Sequence, residues 1–307
     1  MQTDEQLKAI VREKYTAIAG QPAEQNAASC CGSGPVSCCS PADVPIMADD
    51  YTQLDGYVAD ADLALGCGLP TKFALIKEGD TVIDLGSGAG NDCFVARHET
   101  GPTGKVIGID FTEAMIQRAR TNAEVRGFNN VEFRQGDIEQ MPVSDNVADV
   151  IVSNCVLNLV PNKKNVFAEI FRVLKPGGHF SISDIVLLGD LPANLQQAAE
   201  MYAGCVSGAI QRADYLRLID EAGFTAVSLQ KEKAIDLPDD ILQHYLSADE
   251  IAAFRDSGTG IQSITVYAEK PGGPQSGAAQ SPKPKRQLES LAGTSAENCC
   301  TPGSGCC

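Results

Sequence analysis

The stretch VIDLGSGAGNDCF, Val82 to Phe94, decides the fold. Val82 to Leu85 reads as a buried strand, Gly86-Ser87-Gly88-Ala89-Gly90 as a sharp turn, and the residues after Gly90 as the start of a helix. Glycines at such a turn let the backbone reverse and let a ligand approach the helix N-terminus closely. A small-molecule site is therefore expected here. A Walker-type phosphate loop needs Lys followed by Ser or Thr after its second glycine, and neither follows Gly90. A dinucleotide loop has G-x-G-x-x-G spacing and wraps a pyrophosphate, whereas the spacing here is G-x-G-x-G with Asp84 two residues ahead of it. A fixed carboxylate repels a pyrophosphate. It favours a cofactor that carries an ammonium and a sulfonium, as S-adenosylmethionine does.

The neighbouring segments support that choice. KVIGID, Lys105 to Asp110, reads as a second strand whose terminal acid lies twenty positions past Gly90, where a carboxylate can take ribose hydroxyls. From Thr81 the pattern alternates: TVIDL, a helix from Asn91 to His98, KVIGID, a helix from Glu113 to Val125, VEFRQG, the strand ADVIVSN ending at Asn154, a helix from Val166 to Leu174, and the strand HFSISDIV. Alternation of this kind predicts a Rossmann-like α/β fold, a mostly parallel seven-stranded sheet with helices on both faces. Ligands of such sheets bind beyond the carboxyl ends of the strands. Gly86, Asp110, Asp137 and Cys155 all fall there, and Pro176-Gly177-Gly178 falls at the opposite rim as a structural turn. Thr3 and Gln6 form a capping-box pattern ahead of an amphipathic helix with Leu7, Ile10, Val11, Tyr15 and Ile18 on one face. Helices over 191–203 and 213–222 and two closing strands, AVSLQKEKAI and IQSITVYAEK, follow the core. The expected division is an N-terminal helix and cysteine-rich loop (1–50), a cofactor-binding core (51–190), C-terminal helices and strands (191–270) and a disordered cysteine-containing tail (271–307). In that tail 11 of 37 residues are Pro or Gly without a period.

Forty acidic against 24 basic residues give a net charge of -16, which argues against nucleic acid or an anionic membrane as partner. No apolar run reaches the roughly 18 residues of a membrane span, and the polar start Met1-Gln2-Thr3-Asp4-Glu5 is unlike a signal peptide, so a cytoplasmic location is expected. Twelve cysteines in a chain of this size without an export signal point to reactive or ligand thiols rather than a disulfide scaffold. Eight form the adjacent pairs Cys30/Cys31, Cys38/Cys39, Cys299/Cys300 and Cys306/Cys307; the others are Cys67, Cys93, Cys155 and Cys205. Thiolates are soft donors suited to a soft metal or metalloid. Cys93, on a helix face, reads as a small buried apolar residue, and Asn154 and Asn158 as either polar core or pocket lining.

The glycine turn, Asp110, GDIEQMP (Gly136 to Pro142) and ADVIVSN together resemble the class I methyltransferase core over roughly Tyr57 to Lys270. LGCG around Cys67, SNCVLNLVP around Cys155 and YAGCVSGA around Cys205 resemble, in order and context, the arsenite S-adenosylmethionine methyltransferases. That resemblance implies a set of roles. Asp84, Gly86, Ser87, Gly88 and Gly90 would surround the methionine part of the cofactor, Asp110 would hold the ribose, Met115 would pack on adenine, and Asp137 with Ile138 would meet its edge, with Asn154 close by. Cys67, Cys155 and Cys205 would bind trivalent arsenic, and Cys38 or Cys39 would serve the reaction cycle. Some relatives carry an aromatic residue where this chain has Leu65. The implied reaction is methylation of arsenite and methylarsenite by a monomer, reset by an external thiol reductant of the thioredoxin or glutathione type. The alternatives are methylation of a small quinone-type acceptor, which needs no thiols, and metalloid binding without catalysis.

Overall fold

The computed structural model describes residues 3–21, 49–191, 206, 208–237, 239–243 and 246–272. Strands β1 (Thr81–Leu85), β2 (Lys105–Asp110), β3 (Val131–Gln135), β4 (Ala148–Asn154), β5 (Leu174–Leu188), β6 (Thr225–Ile235) and β7 (Gly260–Glu269) form one sheet in the order β3-β2-β1-β4-β5-β7-β6. The strands from β3 to β5 run parallel, while β7 pairs antiparallel with both β5 and β6. The two expected closing strands thus complete the main sheet. The principal helices are α1 (Asp4–Ala19), α2 (Asn91–Thr100), α3 (Glu113–Val125), α4 (Lys163–Val173), α5 (Arg212–Glu221) and α6 (Ala248–Asp256). The expected helix over 191–203 and the tail from 273 onward lie outside the described residues.

The near-continuous apolar runs of β1, β2 and β4 are explained by burial on both faces. Val82, Val106 and Val150 pack against Cys93 and Phe94 of α2 and Met115 and Ile116 of α3. Their neighbours Ile83, Ile107 and Ile151 point to the other face, against Phe167 and Ile170 of α4 and Tyr215 and Ile219 of α5. The Thr3–Gln6 capping box forms, with Gln6 N–H donating to Thr3 Oγ1 and Thr3 N–H to Gln6 Oε1. Helix α6 starts with the same device, Ser247 and Glu250, a signature present in the sequence and absent from the expectations above.

Pro176-Gly177-Gly178 differs in form from a simple turn between elements. The ladder runs from Leu174 opposite Ala148 to His179 opposite Val150, five residues against two, so three extra residues bulge out within β5. Gly177 N–H donates to Lys270 O and Lys270 N–H to Gly178 O, which ties the bulge to the end of β7 at the rim away from the glycine turn.

Candidate active site

The carboxyl ends of β1, β2, β3 and β4 open into a cleft. Asp84, Gly86, Ser87, Gly88, Asp110, Met115, Asp137, Ile138, Asn154 and Cys155 all line it. The turn after β1 is built to leave space. Gly86 has φ +70° and a side chain there would overlap Val156, while its N–H and that of Ser87 donate to Ile109 O. Gly90 is different: it caps α2 with φ +100°, and a Cβ would press on the rings of Phe94 and Phe133, so its role is packing. Two buried polar atoms of this wall, Ser87 Oγ and Asn91 Oδ1, have no hydrogen-bond partner among the described residues. Buried groups left unpaired are costly, and both line the cleft where a polar ligand would satisfy them.

Asp110 Oδ2 accepts from Gly88 N–H at 3.0 Å and Oδ1 from Thr112 N–H at 2.8 Å. Each oxygen keeps capacity for a hydroxyl donor. Asp137 Oδ1 accepts from Glu139 N–H, and Oδ2 accepts from Lys8 Nζ at 2.6 Å, so the expected adenine-edge residue is shared with α1. Lys8 also pairs with Glu139. Val11 and Tyr15 of α1 line the cleft as well, whereas Ile10 is 48% exposed. The apolar stripe of α1 is therefore partly a wall of this cleft.

No ion pair reaches Asp84, Asp92 or Asp110 among the described residues. Asp84 is buried and accepts from Cys93 Sγ at 3.2 Å; burial, then repulsion from Asp92, pushes its carboxyl well above the usual range. Burial pushes Asp92 up to about 6 against the opposing hydrogen bonds from Tyr51, Thr71 and Asn154. Burial also raises Asp110, partly offset by its two backbone donors. Burial without a counter-ion favours the neutral form of all three groups, and a cation entering the cleft would restore their charge.

At the far wall, Cys67 and Cys155 are joined as a disulfide across 88 residues of sequence. The sequence reading has both as thiolates; the structure shows the oxidised form, which offers no ligand sulfur to a metalloid. Cys155 follows β4 with φ +59°, a left-handed conformation rare for a residue with a side chain, and its N–H donates to Ser183 O. Cys67 is held from two sides: Asn154 Oδ1 accepts its N–H at 3.0 Å, and Ser263 Oγ donates to its carbonyl at 2.6 Å. The flanking glycines permit this, since a Cβ at Gly66 would meet the Asn154 amide and one at Gly68 would meet Ser183. Asn154 Nδ2 donates to Gly68 O at 2.8 Å and to Tyr51 Oη at 2.5 Å, so this residue organises the Cys67 segment as well as lining the cleft. Cys93 is free and fully buried, as a core cysteine. Cys205, Cys38 and Cys39 lie outside the described residues. Sequence reasoning missed Lys8, Tyr51 and Asp92. An acidic residue in the first turn of a helix usually complements the helix dipole, and that ordinary reading conceals Asp92.

Residues 76–223 match a methyltransferase domain family. The chain is 42% identical over 286 residues to the arsenite methyltransferase of Halobacterium salinarum, covering 87% of this chain and 67% of that protein. The demethylmenaquinone methyltransferase of Lactococcus lactis is 39% identical over 132 residues, which is 43% of this chain and 52% of that protein. The crystal structure of an arsenic(III) S-adenosylmethionine methyltransferase from Chlamydomonas reinhardtii superimposes with a TM-score of 0.57 at 33% identity, covering 67% of this chain and 68% of that one. The chain spans about half the length of several other curated arsenite methyltransferases it matches. With the cleft, the paired cysteines and this extent of identity in register, the chain belongs to the arsenite methyltransferase family.

Proposed function

We infer that the chain transfers methyl groups from S-adenosylmethionine to trivalent arsenic held by cysteine thiolates, giving methylated arsenicals. The observation that carries this reading is the meeting of Cys67 and Cys155, distant in sequence, at the end of a carboxylate-lined cleft. The residues fit the cofactor: Asp84, Gly86, Ser87 and Gly88 at its methionine part, Asp110 at the ribose, Met115 and Ile138 beside the adenine and Asp137 at its edge. When bound, S-adenosylmethionine supplies an electrophilic methyl group on a cationic sulfur. Arsenic(III) keeps a lone pair after binding thiolates, so the metalloid is the nucleophile and no general base is needed. Arsenite carries three hydroxyl groups, so each As–S bond formed breaks one As–O bond, and the proton of the thiol, whose ordinary pKa is about 8.5, leaves with the displaced hydroxide as water.

Cys67 and Cys155 become ligands only after their disulfide takes up two electrons and two protons. An external thiol reductant of the thioredoxin or glutathione type supplies them. Family resemblance supports Cys205 as the third ligand and Cys38 or Cys39 as the redox partner. Thiol chemistry of this kind suits a reducing, cytoplasmic setting. Among the described residues no helix is long and apolar enough to cross a membrane. A quinone-type acceptor would require neither Cys67 nor Cys155.

The test is arsenic speciation after incubation with arsenite, S-adenosylmethionine and excess dithiol. Methylated arsenicals are expected from the wild type and none from Cys155→Ser, whose hydroxyl is a harder donor that stays protonated. Absence of methylated product from the wild type overturns the assignment. Unimpaired turnover by Cys155→Ser overturns thiolate ligation.

A further inference from the structure

Asp92 is a carboxylate in want of a counter-ion. It sits in the first turn of α2, is 8% exposed and lines the cleft. Its partners are all neutral: Tyr51 Oη donates to Oδ2 at 2.7 Å, Thr71 Oγ1 to Oδ1 at 3.1 Å, and Asn154 Nδ2 lies 3.4 Å from Oδ2. The charged groups that face it, Asp84 from β1 and Asp62 from the segment before Cys67, are also acidic. The position of Asp92 along the cleft is informative. The same Tyr51 hydroxyl lies 3.2 Å from Gly68 O, and the same Asn154 amide holds Gly68 O and Cys67 N–H. Asp92 is thus on the cysteine side of the cleft, while Asp110, fixed by Gly88 and Thr112, is on the ribose side. A ligand whose methyl group is delivered to the cysteines turns its sulfur toward Asp92. The unpaired Ser87 hydroxyl, 6% exposed, independently marks this wall as a ligand surface.

We propose that Asp92 is the specificity-determining carboxylate by which the cleft distinguishes the sulfonium cofactor from its neutral thioether product, S-adenosylhomocysteine, with Tyr51 as the residue that positions it. The inference rests on the reading of the cleft as the cofactor site. Substrate and product share ribose, adenine, ammonium and carboxylate, so only a charge near the sulfur separates them. A buried carboxylate within several ångströms of a sulfonium is attracted far more strongly than one in water. Once the methyl group has left, that attraction is gone and the product leaves more easily.

Calorimetric titration of the full chain with S-adenosylmethionine and with S-adenosylhomocysteine tests this. Asp92→Asn is expected to weaken binding of the cofactor about tenfold or more and of the product less than about threefold. Tyr51→Phe, which keeps the carboxylate and removes its shortest hydrogen bond, is expected to lower the ratio of the two affinities by roughly two- to fivefold, less than Asp92→Asn does, and a ratio equal to the wild type's in this variant would overturn the positioning role of Tyr51. Equal losses for both ligands in Asp92→Asn, or an unchanged ratio, overturn the proposal and leave the cofactor site standing. Failure of the wild type to bind either ligand overturns the cofactor site and the proposal with it. Should Asp92→Asn not fold, the wild type itself decides: the ratio is expected to fall as pH drops from about 7.5 to about 5.5, where Asp92 takes up a proton, and a constant ratio overturns the proposal.

Discussion

Asp184 shows what a single buried carboxylate costs. It lies on β5 with no exposure, its Oδ1 accepting from Ile185 N–H and its Oδ2 from Tyr215 Oη, and Lys163 is the positive charge that acts on it. Burial pushes its carboxyl from 3.8 up to about 7, against the smaller opposing pulls of Lys163, the Ile185 N–H and Tyr215. Between these two values the unfolded chain releases its proton while the folded one retains it. Stability due to this group is therefore complete below about pH 4 and is lost as pH rises toward 7, by at most on the order of 4 kcal/mol. Asp184→Asn keeps an acceptor in place and removes the titration. Urea midpoints for the variant are expected to match the wild type's pH dependence less steeply, with the two proteins diverging most between pH 4 and 8 in favour of the variant at the alkaline end. Parallel profiles would show that Asp184 does not titrate in this window.

Helix α1 covers the cofactor cleft and yet contributes little to the core, only Ile18 and Ala19 being buried. Its far end is held by Arg118, whose Nη1 donates to Ala19 O at 2.8 Å and Gln21 O at 2.9 Å, and Arg12 stacks over the Phe111 ring at 4.2 Å. Arg118 does not line the cleft, so its loss acts on the cofactor through what it holds, the end of α1 foremost and the Asp60 carbonyl at 3.4 Å. Arg118→Ala is expected to lower the melting temperature by no more than a few degrees and to speed cofactor release roughly three- to tenfold, measured by stopped-flow displacement. Unchanged release would show that α1 is no cover. The helix itself was legible from its capping box and apolar stripe, but a stripe says only that one face is covered and never by what. The alternating elements from Thr81 onward were legible for a stronger reason, since period, length and glycine punctuation agree there. The bulge inside β5 was not, because Pro-Gly-Gly ends a strand in isolation and only the ladder to β4 and β7 carries the strand through it.

At the scale of the molecule, the cofactor half of the site follows from local sequence, because the turn after β1 and the acid ending β2 are each fixed within one strand and its successor. The acceptor half depends on distant segments, with Cys67 set by Asn154 of β4 and Ser263 of β7, and spacing along the chain cannot reveal that. The same long-range closure sets stability against activity. A disulfide across 88 residues restricts the unfolded chain, an effect on the order of 4 kcal/mol in the chain-entropy description, whereas the arsenic ligation proposed above requires the two sulfurs free. Reduction is therefore expected to lower the melting temperature by roughly 5–10 °C while leaving the sheet folded, since β4, β5 and β7 remain paired without the bond. Thermal melts of the wild type with and without dithiol, set beside Cys67→Ser under both conditions, separate this bond from the other cysteines. The variant is expected to melt near the reduced wild type and to respond little to dithiol. A wild type indifferent to dithiol, or a variant as stable as the oxidised wild type, would show that the Cys67–Cys155 bond carries no part of the fold's stability.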